Sequence, residues 1–237
     1  MSRLIMFAIL IVALAGAEQA WAHGFKVTID ANHKLQLVSE DPTAGGLPLY
    51  KVQSLFGGAT LRETDHPGFE AFSGFVSGDT ISFSLLGPLW FSPGAGTPVP
   101  AAAGNVLSLA HQDGSVLIPP TVTGSSGPQA GFQVGEYDGF ALSEFEHQLG
   151  YKLENAGGLP TGAFAVALRL LGTDHNAQPF TPSEPFVAIF NVGLTPTTLA
   201  AVAPQLYASA VPEPSSMVLA AAAAAGLAMA VLRRRKK

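Results

Sequence analysis

Between residues 23 and 210 no apolar pattern keeps helical spacing for three turns, and Gly or Pro interrupts nearly every interval. Gly45-Gly46, Gly57-Gly58, Pro93-Gly94, Pro119-Pro120, Gly157-Gly158 and Pro182 are the main breaks. Such punctuation favours short extended segments. Phe25, Val27 and Ile29 alternate with polar residues, a turn is offered at Ala31-Asn32, and Leu35 and Leu37 resume the alternation, which is a hairpin pattern. Further strands are expected at 49–55, 80–86, 106–110, 131–134, 163–171 and 186–192. From 145 to 153 the odd positions Phe145, His147, Leu149, Tyr151 and Leu153 share one face and Glu146, Gln148, Gly150 and Lys152 the other. The best helical candidate, 199–206, is Ala-rich and interrupted by Pro204. These features predict an all-β chain: a single antiparallel β-sandwich, Ig-like, over 23–194. No repeat of fixed period points to a solenoid or propeller.

The two ends obey other rules. Residues 1–22 have Arg3, an apolar stretch over 4–15 and the small-x-small box Ala20-Trp21-Ala22, the zones of a cleavable signal peptide, here a helix that leaves His23 as the new N-terminus. Residues 195–210 read as an exit linker. Residues 211–237 place Pro212, Glu213 and Pro214 before an apolar run over 217–232, and that run before Arg233, Arg234, Arg235, Lys236 and Lys237. As a helix the run would rise about 24 Å, short of a hydrocarbon core of about 30 Å, so this transmembrane segment is marginal. Five cations hold its end in the cytoplasm.

That order of motif, hydrophobic helix and basic cluster resembles the PEP-CTERM sorting signal. The resemblance implies that an integral-membrane exosortase recognises Pro212, Glu213 and Pro214 as substrate residues and removes the tail. It also implies a secretion translocon as first partner, transient anchoring in the inner membrane, and a final place at the cell surface or outside the cell. A permanent single-pass anchor is the alternative, and differs by keeping the tail.

Removing both ends leaves six basic against fifteen acidic side chains, a formal charge of −9 for 23–210. An acidic body lacking a basic patch excludes nucleic acid as a partner, because a polyanion needs clustered Lys or Arg. With no cysteine there is no disulfide framework, thiolate nucleophile or Cys-based zinc site.

His147, on the apolar face beside Tyr151, is either a satisfied core residue or a ligand. Cleavage before His23 would add an α-amino nitrogen and an imidazole from one residue, and a second imidazole would complete a three-nitrogen copper site. In its His23-Gly24 start and expected sandwich the body resembles the histidine-brace copper proteins. That resemblance implies His23 with His147, His111 or His175 as ligands, of which the strand face favours His147, and Tyr151 as an axial aromatic. Asp65-His66 and Asp174-His175-Asn176 are better read as Asx-type turns. The segments 65–70 and 183–191 also resemble uncharacterised secreted PEP-CTERM proteins with a mature His-Gly start, with His66 and Val187 as local variants.

Catalytic signatures are missing: no nucleophile elbow, Walker loop, dinucleotide fingerprint or metalloprotease helix occurs. Glu144 and Glu146 lie on one strand face rather than across a cleft, as a glycosidase pair would. The expectation is an exported surface or matrix protein without catalytic residues or a required cofactor, with exopolysaccharide or other surface components as partners. A copper carrier or an oxidative polysaccharide-active enzyme is the alternative.

Overall fold

A computed structural model describes residues 25–38, 50–54, 56–64, 69–111, 117–139 and 149–211. The expected signal helix at 1–22 and the sorting helix at 217–232 lie outside the described residues. Within them the chain is mostly strand, as the Gly and Pro punctuation demands.

Three sheets share one core. The largest carries β3 (Tyr50–Ser54), β7 (Thr80–Leu85), β8 (Trp90–Ser92), β9 (Val99–Pro100), β12 (Gln129–Glu136), β14 (Gly162–Thr173) and β15 (Phe186–Val192), with the path β12-β7-β14-β15-β3 and β8 and β9 beside it. A second sheet runs β11 (Leu117–Val122), β10 (Val106–His111), β13 (Leu149–Glu154), β5 (Leu61–Thr64), β4 (Phe56–Gly57). A third joins β2 (Leu35–Val38), β1 (Phe25–Ile29) and β6 (Phe69–Ser73). Both smaller sheets pack on one face of the largest. Tyr151 of β13 meets Phe190 of β15 with ring centroids 5.0 Å apart, and Phe69 of β6 meets Phe186 of β15 edge-on at 5.9 Å. The result is a β-sandwich whose core runs from Val27 and Leu35 through Phe83 and Phe164 to Leu107 and Leu153, all fully buried.

Most pairings are antiparallel, as expected, but β1 pairs with β6 and β15 with β3 in parallel. The described strands outnumber the about seven to nine of an immunoglobulin sandwich. The hairpin over β1 and β2 forms as its alternation predicts, with Ile29 opposite Leu35, but its loop is closed by the Asp30 amide on the Lys34 carbonyl at 3.0 Å and is longer than the two-residue turn expected at Ala31-Asn32.

The segment 195–210, read from the sequence as a linker, is instead a helix, α1 (Pro196–Ala210). Thr195 caps it by accepting the Thr198 amide at 3.3 Å, and Pro196 occupies its first turn, where no amide partner is needed. Its buried positions are Val202, Ala203, Leu206 and Ala210, spaced for one helical face. Alanine also occupies exposed positions 200, 201 and 208, so apolar and polar faces barely differ in the sequence and the period is lost. Pro204 removes one intrahelical bond, and the carbonyl it would have engaged belongs to solvent-exposed Ala200. The helix survives because packing supplies what the sequence pattern lacks.

That packing explains the composition of β14 and β15. Phe164, Val166, Leu168 and Leu170 face the sandwich core, while Ala163, Ala165 and Ala167 face α1. In β15 Phe186, Ala188 and Phe190 face the core, and Val187 and Ile189 face the helix. Strands buried on both sides read as continuous apolar runs rather than alternating ones. The alanine row lets the helix approach closely.

Candidate functional site

The described chain leaves its folded body through α1, and the docking holds to the last turn. Ala210 is buried, and Val211 packs in the same cluster as Leu206, Tyr207 and Ile189. The Val211 amide donates to the Tyr207 carbonyl at 3.0 Å, closing the helix. Val211 itself has φ −95° and ψ 109°, the extended conformation that a following proline enforces. The next residue is Pro212, which also lacks the amide needed to continue a helix.

Residues 210–236 match the PEP-CTERM protein-sorting motif. The match begins on the last residue of α1 and covers the tail, not the sandwich. The chain thus carries the sorting signal of an exported protein that is held at the membrane by its C-terminal tail and processed by exosortase. No curated protein matches the chain. Pro212, Glu213, Pro214, Arg233, Arg234 and Arg235 lie outside the described residues, as do Ala20, Ala22 and His23 at the expected signal cleavage. Among the described residues no helix is long and apolar enough to cross a membrane.

Of the three residues favoured for copper, His23 and His147 lie outside the described residues. Tyr151 is described and fully buried in β13, opposite Leu109 on one side and Thr64 on the other. Burial pushes its phenol well above the ordinary value. Its ring is a core aromatic stacked obliquely on Phe190. Of the strand expected at 145–153, residues 145–148 lie outside the described residues, and the period holds from 151 on: Tyr151 and Leu153 are buried, Lys152 and Glu154 exposed. His111 ends β10 opposite Leu149. Among the described residues no three His, Asp or Glu side chains converge to hold a metal.

One polar cluster does form, at the end of the largest sheet where β7 begins and β14 ends. Asp79, only 2% exposed, accepts the Val76 amide on Oδ2 at 2.9 Å. Its Oδ1 accepts the His175 amide at 2.8 Å and faces His175 Nδ1 at 3.2 Å. His175 Nε2 lies 2.9 Å from Asn176 Nδ2, and the tautomer that accepts there carries its proton on Nδ1, facing Asp79. Both ring nitrogens are therefore committed within the protein. A general base needs a nitrogen free to meet its proton. The pair acts as a pin, fastening the 174–178 turn to the start of β7, and Gly78 at φ +94° leaves room for the His175 Cβ.

The turn itself has a twin. Asp174 Oδ1 accepts the amides of Asn176 and Gln178 at 2.8 Å each, and Asp30 Oδ1 accepts those of Asn32 and Lys34 at 2.8 and 3.0 Å. The fourth residue of each turn, Ala177 and His33, has φ near +60°. These amides hold both carboxyls below the ordinary aspartate range, Asp174 chiefly through Gln178 and Asp30 chiefly through Lys34. The Asx-turn expectation for 174–176 is met. The twins lie side by side, with His33 Nε2 4.0 Å from Asp174 Oδ2 and Lys34 Nζ 2.6 Å from Glu184 Oε1. The shared Asp-x-Asn spacing was legible in the sequence; the partner of His175, 96 residues earlier, was not.

A pin and a catalytic pair differ in what they lose. Asp79→Ala is expected to cost about 3 kcal/mol in urea denaturation, because the Val76 amide, the His175 amide and the His175 imidazole lose their shared acceptor together. His175→Ala keeps its backbone bond to Asp79 and should cost about 1 kcal/mol. Equal losses in the two variants would contradict the pin.

The segment 183–191 also has structural work. The Ser183 hydroxyl accepts the Leu170 amide at 3.0 Å and donates to the Glu184 carbonyl at 2.8 Å. Asn191 makes two bonds to the Leu194 backbone, at 2.9 and 3.0 Å, shaping the turn into α1.

Proposed function

We propose that the sandwich with its docked helix is a non-catalytic domain of the cell surface or extracellular matrix, delivered there by its sorting tail. The observation carrying this is the position of the motif, which begins on the last residue of α1 and so leaves the sandwich and the rest of the docked helix outside the match. The acidic body supports it, since a formal charge of −9 keeps the domain soluble and away from polyanions. The commitment of both His175 nitrogens to structural partners argues the same way. Neutral or cationic surface components suit such a body as partners.

The test is the fate of the chain in hosts with and without an exosortase. With the enzyme, the body is expected in the surface or culture fraction, with a C-terminal mass lacking the apolar run and its five cations. Without it, the chain should resist carbonate extraction and keep Lys237. An intact tail in the enzyme-bearing host would overturn the proposal.

A further inference from the structure

Proteases act on chain that can lie extended in a cleft, and a docked helix denies them that conformation. The last residues before the motif are docked: Val202, Ala203, Leu206 and Ala210 are at most 4% exposed against Ala163, Ala165, Ala167, Val187 and Ile189. Val211 is docked too: its amide is bonded to Tyr207 and its side chain packs in the same cluster. There the helix stops, because Pro212 can neither donate an amide nor tolerate a helical residue before it. Only 212–216 separate this stop from the apolar run, at most about 18 Å of fully extended chain.

We propose that docked α1, ended by Pro212, sets the upstream limit of processing: the chain is cut after Val211, and the mature domain keeps α1 whole as a layer of its fold. This rests on the tail being a processed signal and adds where the cut can fall. Pro212 then has two roles, ending the helix and opening the segment on which the enzyme acts. The motif match supports the placement, since it overlaps the helix by its final residue alone. A cut within 196–211 would strip the cover from Ala163, Ala165 and Ala167.

The experiment has two arms. In an exosortase-bearing host, the C-terminal mass of the released wild-type protein is expected to end at residue 211 or beyond. The full chain, purified in detergent, is separately treated with proteinase K, which ignores sequence motifs. Here the wild type should be trimmed to a core that retains 196–211. Leu206→Asp, which undocks the helix, and the milder Leu206→Ala should both become sensitive within 196–211, the first more than the second. A wild-type end before Val211 in either arm overturns the proposal, as does a Leu206→Asp core no shorter than that of the wild type. A tail retained in the first arm with a protected α1 in the second would refute processing, and with it the place of the cut, while leaving the docked helix standing.

Discussion

A chain ending at Gly193, which lacks α1 as well as the tail, is expected to lose its cooperative fold or to aggregate at room temperature. The reason is the two-sided burial of β14 and β15. Ala163, Ala165, Ala167, Val187 and Ile189 are at most 1% exposed only because the helix covers them. Truncation would uncover a contiguous apolar strip at the centre of the largest sheet and remove the contacts of Val202 and Leu206. A single Leu206→Ala should cost about 3 kcal/mol. For a domain of this size that lowers Tm by about 10 °C. Losing the whole helix removes several such increments from a total that is usually about 5–15 kcal/mol. Thermal melts followed by circular dichroism, with size-exclusion chromatography, test this on bodies ending at Gly193 and at Ser216. A shortened body that melts with the longer one would show that the helix is dispensable.

The same helix marks the limit of what the sequence reveals. Strands that alternate, such as β1, β2, β7 and β13, were expected close to where they occur, because a half-buried strand writes its two faces into successive residues. β14 and β15 were also expected, as apolar runs, but the reason for their uniform burial lay in α1. α1 was missed because alanine serves both its docked and its exposed side, and because Pro204 counts as a breaker only until the structure shows it facing water. β11 was hidden by Pro119-Pro120, which an edge strand tolerates and a central strand does not.

At the candidate sites the division is similar. Chemistry confined to neighbouring residues was legible: the order of the tail, and the Asx turn at Asp174. Chemistry assembled across the chain was not. Asp79 precedes β7 as an ordinary loop aspartate, and nothing in Ser77-Gly78-Asp79 announces His175 as its partner. Lys34 and Glu184 likewise form an ion pair across 150 residues. The face assigned to Tyr151 was correct in direction, and in the fold that face is core, so the residue is fully buried with its ring against Phe190.

That burial has a consequence at high pH. The Tyr151 phenol is held above the ordinary tyrosine value of 10.0 because ionising it would place a charge in the core. The folded state therefore favours the neutral phenol, whereas the unfolded chain ionises near its usual value. Its contribution to stability is whole below about pH 10 and declines as pH rises above it, by about 1.4 kcal/mol per pH unit. By pH 12 the loss from this one group reaches about 3 kcal/mol. Tyr207 is shifted in the same direction by partial burial first and by Glu184 second, but solvent reaches its ring and its share is smaller. Tyr151→Phe keeps a ring against Phe190 and has no proton to lose. The difference between wild type and Tyr151→Phe should be constant up to about pH 10 and then shift in favour of the variant along the predicted slope. Urea midpoints measured from neutral to strongly alkaline pH, with phenolate absorbance recorded in parallel, test this. A constant difference across the whole range, or a full complement of phenolate in the folded wild type by about pH 12, would place the Tyr151 hydroxyl in contact with water.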